Sequence, residues 1–320
     1  IESFSGYSFC KAHSATYAAE SMQSLYLKTH FPIEFMVAVI NNRGGFYPME
    51  VYIRELVRLG ASIEMPCLVH SSWMTRISHG KVYLGFSHIK GVTRQTGEAL
   101  LSLRSRSDHI RKLDQVIGLV AAAQLDLLIE AGVFRTLEKV KSKLLFERLL
   151  LSNAAHVGQL QIFATPNFRY QADVDQTEVM EAQIQMRLLG FTLSTPFILF
   201  ESLPYASLHL LRNKGTGENV MIIGYYVLEK PVTTDDGRHM CFATWYDQDL
   251  VFFDTVHFAE VLRKYPLKGK GVYEIKGTIE WHYGYPQIMV YFCRQIAALG
   301  DRIKTADILT YYEYLRLTEG

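Results

Sequence analysis

A short run of residues combines cations with the backbone signals of a tight turn between two helices. Residues 87–90 can close a short helix, Gly91 permits a turn with positive φ, and residues 95–104 resume a helical apolar pattern. The backbone N–H groups at the start of the second helix, with Lys90 and Arg94 beside them, suit a nucleic-acid phosphate. Such a contact positions DNA without reading its sequence.

The same residues resemble a helix-hairpin-helix motif, although Thr93 stands where the motif usually has a second glycine. A helix that ends at a glycine and is followed by another helix would give the same pattern. Residues 76–112 carry eight Lys or Arg against Glu98 and Asp108, which predicts a basic surface, while a solvated helix face remains the alternative. The DNA-binding residues expected here are Lys90, Gly91, Thr93 and Arg94.

The composition excludes several classes of protein. The chain has 320 residues, of which 49% are apolar and 20% charged, so it can bury more than one core and is not intrinsically disordered. A net charge of +1 argues against a uniformly basic nucleic-acid binder. No apolar run approaches a membrane span, and the four cysteines form no C-x-x-C pair, which favours reduced thiols in a cytoplasmic protein.

Two kinds of periodicity divide the chain. Helical spacing dominates its first part and predicts helices over residues 14–28, 32–40, 49–59, 95–104, 124–132, 138–150 and 178–189. Arg54 and Arg58, on the third helix, are predicted to face solvent. Alternating apolar residues, with a helix over residues 255–264, then predict strands at 220–228, 238–245, 251–254, 271–281 and 285–292. The predicted fold class is therefore α+β and multi-domain, with helical regions followed by a five-stranded OB-like β-barrel.

An OB-like barrel binds single strands by stacking bases on aromatic side chains and by contacting phosphates with cations. Lys230 and Arg238 flank the first predicted hairpin of the strands and are the phosphate candidates. Strand alternation sends about half of the aromatic candidates into the barrel core. These candidates are Tyr225, Phe242, Trp245, Phe252, Trp281 and Tyr283.

Several segments in register resemble one protein family. They are residues 4–18 (FSGYSFCKAHSATYA), 27–36 (LKTHFPIEFM), 58–66 (RLGASIEMP), 85–92 (GFSHIKGV) and 125–134 (LDLLIEAGVF). Together they resemble the alpha subunit of bacterial DNA polymerase III, a replicative polymerase of the C family. Cys10 and Ala12 depart from the Asn and Ser that are usual in the family.

The resemblance implies a domain organisation. Residues 1–83 would form part of the polymerase fingers, 84–150 a tandem helix-hairpin-helix region, 151–215 a clamp-binding peptide and connector, 216–300 the OB-like domain and 301–320 a tail. It also implies that Lys11 and His13 bind the incoming nucleotide, because a cation and a polar ring just ahead of a helix can meet a triphosphate. The alternative is that His13 only caps a helix beginning at Ser14.

Residues 159–163 (QLQIF) lie where apolar periodicity is lost between the hairpin region and the strands. They resemble the short peptide by which the alpha subunit docks on the sliding clamp. An extended peptide of this kind places Leu160, Ile162 and Phe163 in an apolar pocket, while Gln159 hydrogen-bonds at its rim. Burial of these residues within the chain is the alternative.

Polymerisation requires carboxylates that hold two Mg²⁺ ions, and in the family these lie in the palm, N-terminal to the fingers. We therefore expect no catalytic residue and no metal ligand in this chain. Asp247 and Asp249 have D-x-D spacing, but a role in a strand turn is the commoner one.

The resemblance thus implies a C-terminal fragment of a DNA-directed DNA polymerase, a nucleotidyltransferase. Its expected partners are primer-template DNA, single-stranded template, deoxynucleoside triphosphates, the sliding clamp and other replicase subunits, but no membrane. Alone, the fragment is expected to extend no primer. A non-catalytic DNA-binding accessory protein derived from the polymerase tail is the alternative, and an RNA-binding OB protein is a third reading that the hairpin region disfavours.

Overall fold

The computed structural model describes residues 11–106, 110–156, 177–200, 214–234, 237–282 and 284–299. Its first part, the helical body, contains α1 to α7 and a small sheet. The helices are Lys11–His30 (α1), Pro32–Asn41 (α2), Met49–Arg58 (α3), Arg94–Arg106 (α4), Ala122–Glu130 (α5), Lys141–His156 (α6) and Glu178–Leu189 (α7). The sheet has the order β1-β3-β2, with strands Ile63–Glu64 (β1), Arg76–Ser78 (β2) and Lys81–Tyr83 (β3).

Local sequence signals account for most of these helix ends. Pro32 occupies the first turn of α2, where its missing N–H costs no hydrogen bond. The predicted helix over 178–189 is confirmed as α7, because Thr177 accepts the N–H of Met180 and Gly190 ends the helix in the left-handed region, at φ 86°. The predicted start of the first helix is wrong: α1 already includes Lys11, so His13 lies inside the helix and does not cap it.

The core of the helical body is continuous from α2 to the segment after α7. It buries Ile40 and Ile53 together with Phe86, Phe134 and Phe191. The core is therefore continuous across the expected boundary between residues 83 and 84. The short sheet and the helices that follow it pack on the same buried surface.

The second part of the chain is a closed β-barrel with one helix. Its elements are Asn219–Thr233 (β4), His239–Tyr246 (β5), Phe252–His257 (β6), Ala259–Lys264 (α8), Val272–His282 (β7) and Tyr285–Gln295 (β8). The strands close in the order β4-β5-β6-β8-β7, and β6 and β8 are parallel. Five strands in this order, with a helix between the third and the fourth, confirm the OB-like barrel. The predicted helix begins later than expected, because residues 255–257 continue β6 and pair with β5.

A polar network lies inside the barrel. Trp245, Thr255 and His257 are fully buried. The indole Nε1–H of Trp245 donates to Thr255 Oγ1 at 2.7 Å, and Thr255 Oγ1 lies 2.9 Å from His257 Nε2. Nδ1 of His257 has no hydrogen-bond partner among the described residues. Burial lowers the pKa of His257 to about 4, so the imidazole is neutral in the folded barrel at neutral pH.

The barrel packs on the helical body through a junction with one buried carboxylate at its centre. Glu50 on α3 accepts a hydrogen bond of 2.8 Å from Tyr246 Oη on β5. Its other oxygen lies 3.4 Å from Lys270 Nζ. Arg54, one turn further on α3, is 2% exposed and donates to the carbonyl and hydroxyl oxygens of Thr192. The prediction that Arg54 faces solvent is therefore wrong, whereas Arg58 is exposed as expected.

Apolar side chains surround this carboxylate. Tyr225 stacks on Tyr246 with ring centroids 5.1 Å apart, and Val51 and Phe197 pack against the same cluster. Burial beside Glu50 raises the pKa of Tyr246 well above its usual range. The hydroxyl therefore stays protonated and donates to Glu50 at neutral pH.

We expect Tyr246→Phe to lower the free energy of unfolding by about 1 to 3 kcal/mol, because the buried carboxylate of Glu50 loses a hydrogen-bond donor. Urea unfolding followed by tryptophan fluorescence measures the loss. The same substitution in a Glu50→Gln background should cost less, since the charge that needs the donor is gone. Equal losses in the two backgrounds would contradict a direct coupling. Tyr291→Phe, at a half-exposed tyrosine, is the matched control and should leave stability unchanged.

We also expect the barrel to lose stability in acid through His257. The unfolded chain takes up a proton below about pH 6.5, whereas the folded barrel resists protonation until about pH 4. Stability that is present above pH 6.5 is therefore lost as the pH falls toward 4. Relative to His257→Gln, the wild-type chain should lose about 2 kcal/mol between pH 7 and pH 5.

Urea unfolding at a series of pH values tests this prediction. The exposed His239 provides the control, because His239→Gln should keep the wild-type profile. A difference between wild type and His257→Gln that does not change with pH would refute the assignment.

Candidate nucleic-acid interface

The first hairpin consists of a 3-10 helix at Phe86–His88, a turn at Gly91 and α4. Gly91 has a φ of 86°, as the sequence predicts. A Cβ at this position would also lie 2.9 Å from Leu127 Cδ1 on α5. Glycine is therefore required by the backbone conformation, whereas the contact with Leu127 could be relieved by a small shift of that side chain.

Thr93 acts as the cap of α4. Its Oγ1 accepts the N–H of Thr96 at 3.3 Å, and its own N–H donates to Gln124 Oε1 at 3.2 Å. This explains how a threonine replaces the usual second glycine, because its side chain and its N–H are both used within the fold. The N–H groups of Arg94 and Gln95, which follow in the exposed first turn of α4, have no acceptor within the helix and suit a phosphate.

Two cations flank this turn. The side chain of Arg94 is 73% exposed, and its Nε lies 2.7 Å from Glu98 Oε1, one turn along α4. An ion pair this exposed contributes little stability, so a phosphate can compete for the guanidinium. Lys90 is also exposed, and its backbone N–H donates to Leu188 O at 2.8 Å. Lys90 Nζ lies 3.0 Å from the position that a Cβ on Gly190 would occupy, so the ammonium faces the C-terminal end of α7.

The wider basic surface is only partly available to a ligand. Arg104 donates to the carbonyls of Leu68, Val69 and Ser71 and so holds the loop after β1. Lys81 pairs with Glu64 at 2.7 Å. The exposed cations that remain near the first hairpin include Arg76, Arg106, Arg111 and Lys112.

The second hairpin, formed by α5, Gly132 and α6, has a different role. Gly132 has a positive φ of 71°, but Val133 and Phe134 beside it are fully buried. Lys141, at the start of α6, donates to both carboxylate oxygens of Glu181 on α7. The turn of the second hairpin is therefore occupied by contacts within the chain, and only the first hairpin presents its turn to solvent.

The barrel separates the aromatic candidates into two groups. Tyr225 and Trp245 are 2% and 0% exposed, so they cannot stack on a base. Trp281 is partly buried and donates to Lys214 O at 3.0 Å. Phe242 and Phe252 remain exposed, whereas Tyr283 lies outside the described residues. Two further exposed aromatic residues of β8 were not predicted: Tyr285 and Tyr291.

The predicted phosphate contacts of the barrel lie near one of these aromatics. Lys230 on β4 pairs in register with Phe242 on β5, and both side chains are exposed. Arg238 is exposed in the turn between the two strands, where Thr234 Oγ1 accepts its N–H at 3.1 Å. A cation next to an exposed ring is an arrangement that can hold a nucleotide.

The residues predicted to bind a nucleotide occupy the first turn of α1. Lys11 is its first residue, and His13 is exposed, with its ring 4.4 Å from that of Tyr17. Both lie inside the helix, which corrects the expectation that they precede it. The predicted clamp-binding residues Gln159, Leu160, Ile162 and Phe163 lie outside the described residues.

Across the described ranges, no group of three or more His, Cys, Asp or Glu is placed to hold a metal ion. The buried carboxylate of Asp247 accepts the N–H groups of Asp249 and Val251, each at 2.9 Å. These bonds form the turn between β5 and β6, as predicted. No helix in the described part of the chain is both long and apolar enough to span a membrane.

The sequence also contains a basic segment that the prediction missed. Residues 263–270 (RKYPLKGK) hold four Lys or Arg and no acidic residue. In the structure, Lys264, Lys268 and Lys270 line a cavity next to the end of β8. The run of positive charge could have predicted this site from the sequence, but a basic run between a helix and a strand is usually only a solvated loop.

Comparison with known proteins gives a match to a family model, matches to curated relatives and matches to solved structures. A family model described as a helix-hairpin-helix motif matches residues 60–144. The DNA polymerase III alpha subunit of Treponema pallidum is 24% identical and covers 99% of this chain and 29% of its own length. That of Pasteurella multocida is 28% identical, with coverages of 83% and 25%. That of Escherichia coli K12 is 31% identical, with coverages of 50% and 13%.

Among solved structures, the second OB-fold domain of replication protein A from Methanococcus maripaludis is similar at 17% identity and a TM-score of 0.22. It covers 27% of this chain and 90% of its own. The protein PriB from Ralstonia solanacearum matches at 11% identity and a TM-score of 0.19, with coverages of 24% and 95%. The OB assignment rests on the strand order of the barrel itself.

A helix-hairpin-helix region followed by an OB-like barrel defines a chain built from nucleic-acid-handling modules. Over 83% to 99% of its length the chain is similar to DNA polymerase III alpha subunits, which supports its recognition as a C-terminal portion of one. It spans between 13% and 29% of the length of the relatives named above.

We expect Arg94→Gln to weaken binding of duplex DNA about fivefold and to reduce the salt dependence of log K by about one unit, as for the loss of one phosphate contact. Fluorescence anisotropy with a labelled duplex measures both quantities. Arg58→Gln is the matched control, because Arg58 is also an exposed arginine paired with a glutamate on its own helix. An equal loss of affinity in both variants would indicate non-specific electrostatics instead of a contact at the first hairpin.

Proposed function

We propose that this chain is the DNA-handling portion of a replicative DNA-directed DNA polymerase alpha subunit, which acts in the cytoplasm. The first hairpin binds the duplex of a primer-template, and the barrel binds the single-stranded template. The observation that carries the proposal is the exposed turn at Gly91. There, N–H groups of α4 and the side chain of Arg94 face solvent in a chain similar to DNA polymerase III alpha subunits.

The remaining partners follow from the same family. Lys11 and His13 would contact the triphosphate of an incoming deoxynucleotide, and residues 159–163 would dock on the sliding clamp. Other replicase subunits would bind the intact polypeptide. The Mg²⁺ ions of the reaction would be held by palm carboxylates, which in the family lie N-terminal to the fingers.

Exposed apolar residues on α1 favour a part of a larger polymerase over a separate accessory protein. Met22 and Leu25 are 69% and 63% exposed, and Tyr17 and Tyr26 are exposed by more than half. A chain that worked alone would gain nothing from such a helix in water, whereas a helix that packs on another part of a polymerase requires it.

Binding of a primer-template to the full chain tests the proposal. We expect affinity to fall steeply as salt rises, because phosphate contacts release counterions. Double-stranded RNA of the same sequence should bind more weakly than DNA. A flat salt response, or tighter binding of RNA, would refute the proposal.

The same primer-template provides a second measurement. With Mg²⁺ and deoxynucleoside triphosphates present, the bound chain should add no nucleotide to the primer, because the resemblance places the carboxylates that activate the 3′ hydroxyl in the palm and not in the fingers, hairpin or barrel. Incorporation above background by the purified chain would overturn the assignment of catalysis to the palm.

A further inference from the structure

A basic groove lies where the loop before β7 meets the end of β8. Its volume is about 600 Å³, and its charged lining consists of Lys264, Lys268, Lys270 and Arg294. Tyr265 and Phe292 form an apolar wall, with their rings 5.0 Å apart. Among the described residues that line the groove there is no carboxylate and no histidine.

The loop that carries the lysines has a fixed shape. Tyr273 Oη accepts the N–H of Lys268 and donates to Gly269 O, each at 2.9 Å. Gln295 Nε2 donates to Lys270 O at 2.9 Å, so β8 holds the other side of the loop. The ammonium groups are therefore presented from a backbone that is already ordered, which lowers the entropy lost when an anion binds.

Two of the four cations are available to a ligand. Lys264 and Lys268 are exposed and form no ion pair with any described residue. Arg294 lies 2.7 Å from Glu274, and Lys270 lies 3.4 Å from Glu50 and donates to Gly190 O at 2.9 Å. The first two can thus bind a phosphate, while the other two are engaged in ion pairs and hold the edges of the groove.

Gly190 connects this groove to the first hairpin. Lys270 reaches its carbonyl oxygen from the barrel side, and the ammonium of Lys90 lies against its Cα from the hairpin side. The two ammonium groups therefore meet at the end of α7, between the turn of the first hairpin and the groove.

The outer face of the neighbouring strands offers a poorer surface for a phosphate chain. β5 and β6 contain no Lys or Arg, and Asp254 is exposed on that face.

The groove offers no nucleophile, because burial raises the pKa of the Cys293 thiol to about 12. Its lining suits binding of an anionic chain and no covalent step.

We propose that the basic groove binds the phosphodiester backbone of a single DNA strand that leaves the duplex held by the first hairpin, with Lys264 and Lys268 as the phosphate contacts. This inference rests on the proposed function and adds to it the site and the path of the single strand. Lys230 and Arg238, on the far hairpin of the barrel, are then not the main contacts of that strand.

Two labelled DNAs test the inference with the full chain: a blunt duplex, and the same duplex with a single-stranded overhang. Wild type should bind the overhang DNA about tenfold more tightly at low salt. The double variant Lys264→Gln/Lys268→Gln should bind the blunt duplex as wild type does but lose most of that gain. Its salt slope on the overhang DNA should fall by about 1.4, the value for two single-strand phosphates.

The double variant Lys230→Gln/Arg238→Gln removes the competing cations of the barrel and should keep the overhang gain. If this variant loses the gain while Lys264→Gln/Lys268→Gln keeps it, the single strand lies on the hairpin between β4 and β5 and the inference is wrong. No overhang gain in wild type would also overturn it, while duplex binding would still support the proposed function. Absence of binding to either DNA would reject both.

Discussion

The buried carboxylate of Glu50 is the contact on which the arrangement of the two parts depends. A charge that is 4% exposed needs partners: Arg54 lies 3.7 Å away on the same helix, and Tyr246 and Lys270 approach from the barrel. The apolar cluster around Tyr225 buries surface at the junction, but apolar contacts are not directional. The hydrogen bond from Tyr246 is directional and so fixes the orientation of the barrel on the helical body. Because Lys270 also reaches Gly190, the contact that holds the barrel also sets where its basic groove lies relative to the first hairpin.

The two hairpins show how one motif serves two purposes. Both turn on a glycine with positive φ, at Gly91 and at Gly132. In the first, Thr93 caps α4 and leaves the turn open to solvent. In the second, the ion pair between Lys141 and Glu181 fastens α7 to the turn, and so places Gly190 where the hairpin and the barrel meet. The second hairpin therefore contributes to the interface by positioning α7.

Sequence reasoning succeeded where the deciding signal was local. Gly91 and the strand alternation of the barrel predicted a turn and a fold class that the structure confirms. It failed where the deciding partner was distant in the chain. Arg54 looked like a solvated helix residue because nothing nearby reveals Thr192, which lies 138 residues away. The positive charge of residues 263–270 is visible in the sequence, but the groove that these residues line forms only because β8 packs beside them.

The strand pairs that close the barrel determine the order in which the chain can fold. β4 must pair with β7, and β6 with β8, so the barrel is complete only after its last strand has been synthesised. The core of the helical body uses residues that all precede the barrel. Since such distant pairings form slowly, we expect the body to fold first on the ribosome, with Glu50 hydrated until the barrel closes over it. The nascent chain would then pass through a stage in which a chaperone could recognise the uncovered flank of α3.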